Sequence, residues 1–158
     1  DPSAAEIQRA LAAEAAAIRE KLPRGGAVIA LCIEGKPCSS VELSRRMQEL
    51  VRKLKSRGYC VYYLSNIPED VLDLLMHRDF EGLFDGGVAS CEVKINKPDP
   101  RIYQALLDKY HLRADECIFI DDRAENLVAA SALGFGIYEM HNVGTLLRSL
   151  PTFGVSLH

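Results

Sequence analysis

The chain has 158 residues, enough for one domain built around a single core, and 48% of them are hydrophobic. Its net charge of −3 comes with no basic stripe, so nucleic-acid binding has little electrostatic support. The longest apolar run, Ala27 to Ile33, is far too short to span a bilayer, and no charged stretch leads into an apolar one as in a signal peptide.

Ser3 is a plausible cap for a helix over about 4–22, with Ile7, Leu11, Ile18 and Leu22 on one face. Pro23 to Gly26 breaks it, and Ala27 to Ile33 reads as a strand apolar on both faces, as a central parallel strand is. Ser39 or Ser40 caps a helix running to about Ser56, which Gly58 ends. A second strand follows at 59–64, then a helix near 68–76 and a short third strand around Gly87 to Ser90. A helix from about Pro100 to Tyr110 leads to a fourth strand at 117–120. A helix at 124–133, a strand at 136–140 and a last helix at 143–149 complete the pattern. This alternation predicts an α/β fold, a doubly wound parallel sheet of about five strands. No repeat, low-complexity tract or linker interrupts it. The first residue is Asp1 rather than Met, which points to a fragment or a processed chain.

The cysteines are Cys32, Cys38, Cys60, Cys91 and Cys117. An odd number, several inside apolar strands, argues for reduced thiols in a cytoplasmic protein rather than a disulfide framework. No CxxC and no Cys/His cluster of zinc spacing occurs. His77, His111, His141 and His158 are scattered, a pattern that favours none of them as a catalytic group.

Chemistry concentrates between residues 90 and 130. Lys97 stands on a Pro-rich turn before a helix, and the apolar strand Cys117-Ile118-Phe119-Ile120 ends in two carboxylates, Asp121 and Asp122. Carboxylates at the carboxyl end of a parallel strand face the crevice where open α/β sheets bind ligands. Adjacent carboxylates repel unless a cation or proton separates them, and oxygen-only ligation suits Mg²⁺. Alternatively Asp122 is only an N-cap for the next helix. The second strand ends in Ser65 and Asn66, whose hydroxyl and amide suit the oxygens of a phosphoryl group.

Taken in order, the strand ending in Ser65-Asn66, the run KPDPRIY and the run IFIDDRAENLVAA resemble motifs II, III and IV of the haloacid dehalogenase (HAD) superfamily. The resemblance covers roughly Leu50 to Leu150. It implies a three-layer Rossmann-like fold with strand order 5-4-1-2-3. Most members are Mg²⁺-dependent phosphatases working through an aspartyl-phosphate. It also implies that Ser65, Asn66 and Lys97 bind phosphate, that Lys97 takes part in catalysis, and that Asp121 and Asp122 hold Mg²⁺. The partner it implies is a small phosphorylated molecule, with no nucleic acid and no membrane.

The first strand departs from that pattern. Motif I of the family is an apolar strand followed by D-x-D, with a nucleophile and a general acid/base. Aligned with it, VIALCIEGK puts Cys32 and Glu34 at those positions. A cysteine phosphatase needs an Arg six residues after its Cys, but that position holds Cys38, and counted from Cys38 it holds Ser44. Cys32 then reads as a small core hydrophobe, and a Cys does not replace Asp as an oxygen ligand for Mg²⁺. The segment after the first strand is too short for a cap domain, which leaves the crevice open to water.

Residues 4–47 (EIQRALAAEAAAIREKLPRGGAVIALCIEGKPCSSVELSRRM) resemble instead the middle of the SPOUT-class rRNA large-subunit pseudouridine methyltransferases, in which the strand residue matching Leu31 lines an S-adenosylmethionine pocket. Together the two resemblances imply a chimera, with a methyltransferase-like segment at 1–47 and a HAD-like segment at 48–158. The expected function is a HAD-like domain with a vestigial phosphate and Mg²⁺ site and little or no turnover. The alternatives are an active Mg²⁺-dependent phosphatase and an S-adenosylmethionine-binding module.

Overall fold

The apolar runs become strands because both faces of a central parallel strand are covered by helices, so that neither needs a polar residue. A computed structural model describes residues 28–31, 41–78, 82–155 and 157. For 28–31, 41–44 and 75–78 it describes the backbone alone. The predicted helix over 4–22, its break at Pro23 to Gly26, and Cys32 and Glu34 lie outside the described residues.

The strands are β1 (Val28–Leu31), β2 (Cys60–Ser65), β3 (Gly86–Ala89), β4 (Cys117–Asp121) and β5 (Gly136–Glu139). They form a five-stranded sheet in the order β3-β2-β1-β4-β5, every pairing parallel. This is the Rossmann-like α/β architecture and strand order expected from the sequence. The helices are α1 (Val41–Ser56), α2 (Glu69–Arg78), α3 (Ser90–Val93), α4 (Pro100–Tyr110), α5 (Ala124–Ala132) and α6 (Val143–Ser149). Two 3₁₀ turns lie at Ala114–Glu116 and Leu150–Phe153. No described helix is long and apolar enough to cross a membrane, and among the described residues there is no cap domain.

Period-two alternation splits β4 between two cores. Ile118 and Ile120 join Leu50, Val51 and Leu54 of α1 and Leu146 of α6. Phe119 and Cys117 join Ile102, Tyr103 and Leu106 of α4 and Leu127 and Ala130 of α5. On that second side Tyr103, Phe119 and Phe135 are fully buried, with ring centroids 5.3–6.2 Å apart in edge-to-face pairs.

Local signals set the helix ends. The Asp99 carboxylate accepts from Arg101 N–H at 2.9 Å and Pro100 takes the first turn, where a missing N–H costs nothing. Helix α1 ends at Gly58, whose φ of +88° suits a residue without Cβ. At the sheet edge, Gly87 of β3 donates its N–H to the Tyr110 hydroxyl at 2.7 Å, and its carbonyl accepts from Tyr110 and Lys109, both at 3.1 Å. Those contacts cover the edge groups that would otherwise invite a further strand.

Two boundaries differ from expectation in a way that matters. Strand β2 runs one residue further, so Ser65 belongs to the sheet and pairs with Ala89. The third strand stops at Ala89, and Ser90 opens the unexpected α3 instead. There Glu92 Oε1 accepts from Ala89 N–H at 3.1 Å, an early helical turn that four residues of sequence do not announce.

Candidate active site

Strands β2 and β4 flank β1, with Leu31 in register with both Tyr63 and Ile120. Ser65 ends β2 and Asp121 ends β4, so both stand at the carboxyl edge of the sheet beside the last described residue of β1. Crossing between strands on either side of β1 makes this edge the topological switch point of the sheet. Lys97 reaches the same edge from the irregular segment between α3 and α4.

Lys97 Nζ lies 3.1 Å from Asp121 Oδ2, and both side chains are fully removed from solvent. The same oxygen accepts from Asn126 Nδ2 of α5 at 3.1 Å, and Asp121 Oδ1 accepts from Arg123 N–H at 2.8 Å. A carboxylate and an ammonium are buried together because each offsets the other's lost hydration and hydrogen bonds occupy the remaining oxygens. The Lys97 ammonium also lies 5.7 Å from the centre of the Phe119 ring, whose π face favours a cation.

Of the two adjacent carboxylates, Asp121 is buried and Asp122 is exposed. Asp122 does not cap the following helix, since Arg123 holds the N-cap position without a side-chain bond. Ser65 is fully buried at its strand end. Half-buried Asn66 turns its amide toward Lys97, accepting from the Lys97 N–H at 2.7 Å and donating to the Lys97 carbonyl at 3.0 Å. Among the described residues no group of three or more His, Cys, Asp or Glu side chains could hold a metal ion. Cys32 and Glu34, assigned by alignment to the nucleophile and acid/base positions, lie outside the described residues.

Sequence reasoning missed two participants. Asn126 is a polar residue in the buried stripe of α5 with Leu127 and Ala130, and its carbonyl accepts from the Tyr103 hydroxyl at 2.8 Å. An amide on the apolar face of a short helix is the signal that could have found it. The sequence pattern places Ser90 at a strand end. Its hydroxyl instead accepts from Ile67 N–H at 2.9 Å and donates to the Ile67 carbonyl at 3.4 Å. Of the histidines, His111 ends α4 with a φ of +54°, and His141 is an exposed neighbour of Glu139. Cys60, Cys91 and Cys117 are free thiols, and burial pushes the Cys117 thiol up to about 12, where it stays protonated.

This arrangement matches a known family: residues 5–134 fit the haloacid dehalogenase-like hydrolases, and the chain belongs to that family. The match takes in most of residues 4–47, so the methyltransferase likeness of that segment and a chimeric origin gain no support. The chain is 38% identical over 105 residues to a sesquiterpene phosphatase of Aspergillus oryzae, covering 65% of this chain and 54% of that protein. It thus spans about half the length of that relative. Among solved structures, it resembles a protein of Corynebacterium glutamicum at a TM-score of 0.70 and 22% identity, covering 85% and 98% of the two chains, a likeness of fold. It also resembles a HAD-family enzyme of Bacteroides thetaiotaomicron, solved in complex with magnesium and inorganic phosphate. That likeness has a TM-score of 0.54 and 29% identity and covers 61% and 52% of the two chains.

Proposed function

We propose that this chain holds small phosphorylated molecules at the carboxyl edge of its sheet, with weak help from Mg²⁺, and turns them over little or not at all. The buried Lys97–Asp121 pair at the switch point is the observation that carries this reading. An ammonium fixed in a water-poor site acts on a phosphoryl group with little screening, and it is already positioned when the ligand arrives. Lys97 would neutralise phosphoryl charge and the Ser65 hydroxyl would bind a phosphoryl oxygen. Asp121 would act through Lys97, since its oxygens already serve Lys97, Asn126 and Arg123.

That division leaves Asp122 as the carboxylate for an ion. Mg²⁺ keeps several waters and commonly takes only one or two protein carboxylates together with substrate phosphate, so an exposed aspartate at a strand end fits it. A bound Mg²⁺ would offset the negative charge of the phosphate. With so few protein ligands we expect binding in the millimolar range or weaker, on the order of 4 kcal/mol or less. Turnover is low in this reading because Cys32 and Glu34 stand where the family resemblance places a nucleophilic and an acid/base aspartate. The reduced cysteines suit a cytoplasmic setting.

The test is hydrolysis of p-nitrophenyl phosphate with and without Mg²⁺, beside calorimetry with inorganic phosphate. The unaltered chain is expected to bind phosphate weakly and to hydrolyse the ester barely above background. Cys32→Asp with Glu34→Asp should gain a small Mg²⁺-dependent rate that a further Asp122→Asn removes. Brisk hydrolysis by the unaltered chain makes it an active phosphatase, and absence of phosphate binding removes the reading altogether. Titration with S-adenosylmethionine, expected to be silent, tests the remaining alternative.

A further inference from the structure

We infer that Asn66 is a positioning residue for Lys97, holding the lysine's main chain so that its ammonium stays on Asp121, rather than a phosphate ligand. The inference rests on the reading of this edge as the phosphate site. Lys97 lies in the irregular segment between α3 and α4, where no ladder of main-chain bonds sets its position. Asn66 follows the last residue of β2, an internal strand held on both sides by β1 and β3.

From that fixed point its amide forms a ring of two hydrogen bonds with one residue, accepting from Lys97 N–H at 2.7 Å and donating to Lys97 C=O at 3.0 Å. Two bonds to one residue set both its place and its rotation, as in a pair of facing strand residues. The reverse contact lies one residue further on. The Ser90 hydroxyl takes both main-chain groups of Ile67, at 2.9 and 3.4 Å. Each segment thus clamps the other's backbone, but only the Asn66 clamp acts on the residue that carries the ammonium. A lysine side chain has many rotamers, and pinning its Cα is a precondition for burying its head on one oxygen.

The experiment is amine acetylation of the folded full chain, mapped by mass spectrometry, with exposed Lys94 as the internal reference. In the unaltered chain Lys97 should react at least roughly tenfold more slowly than Lys94, because modification waits on local opening. In Asn66→Ala that ratio should fall to about twofold, while Ser90→Ala, which loosens the same turn and spares the Asn66 bonds, leaves it unchanged. Should Asn66→Ala fail to fold, Asn66→Asp carries the test, since it keeps the acceptor for Lys97 N–H and loses the donor to the carbonyl. A folded Asn66 variant with Lys97 still protected overturns the inference, and so does a Ser90→Ala chain that exposes Lys97 equally. The labelling needs no ligand, so the two ideas fail separately. The expected pattern in a chain that binds no inorganic phosphate retains the clamp and refutes the phosphate site. Phosphate binding with Lys97 protected in the Asn66 variant does the reverse.

Discussion

Replacing Asp121 by Asn removes the carboxylate that lies 3.1 Å from the buried Lys97 ammonium, a perturbation whose cost follows from the geometry. At the observed 3.1 Å two unit charges attract by about 5 kcal/mol at an effective dielectric constant near 20. Breaking a buried pair by removing one partner costs roughly 3–5 kcal/mol, because the survivor stays out of water. Against a total stability of about 5–15 kcal/mol this is a large loss. With a slope of about 2 kcal/mol per molar urea, the unfolding midpoint should drop by roughly 2 M with the slope unchanged. Lys97→Met, which removes the cation from the buried carboxylate instead, should cost a similar amount. The double variant Lys97→Met/Asp121→Asn removes both charges of the pair, so it should be more stable than the sum of the single losses implies, by about 2 kcal/mol or more. Urea unfolding followed by circular dichroism supplies all four corners of this cycle. Strict additivity would refute the argument, since it would mean that the two charges do not interact in the folded state.

Three further outcomes follow from the packing. Burial raises the Cys117 thiol from 9.0 to about 12, so the folded state keeps a proton that the unfolded state releases above about pH 9. Its contribution is fully present below that pH and is lost as pH rises toward 12, by on the order of 4 kcal/mol. The stability difference between the unaltered chain and Cys117→Ala, measured by urea titration from pH 8 to 11, should therefore shrink with pH, and a flat difference refutes the burial account. Gly87→Ala would drive its new methyl into the Tyr63 ring and should cost about 1–3 kcal/mol. Tyr63→Leu in the same chain should recover part of that loss in thermal melts. Phe135→Ala empties a site beside the paired rings of Tyr103 and Phe119 and should cost about 3–5 kcal/mol by the same measurement, with a loss below 1 kcal/mol counting against a close-packed cluster.

Much of the fold is local and therefore legible in the chain. Uninterrupted apolar runs mark β1, β2 and β4, and Asp99-Pro100 with the apolar spacing of Ile102, Tyr103, Leu106 and Leu107 marks α4 to the residue. The strand-end polar residues Ser65, Asn66, Asp121 and Asp122, with Lys97 between them in the chain, point to a candidate site through the same local logic. What the sequence by itself leaves open is how those groups divide their work. Asp121 and Asp122 are identical and adjacent, yet one is buried on Lys97 and the other faces solvent. Asn66 is a strand-end amide suited to phosphate in the sequence, and a clamp on Lys97's main chain in the structure. Lys97, the partner of both, lies 24 residues from Asp121 and 31 from Asn66 in the chain. They meet because parallel crossovers return β2 and β4 to either side of β1, a long-range pairing that no local pattern of residues encodes.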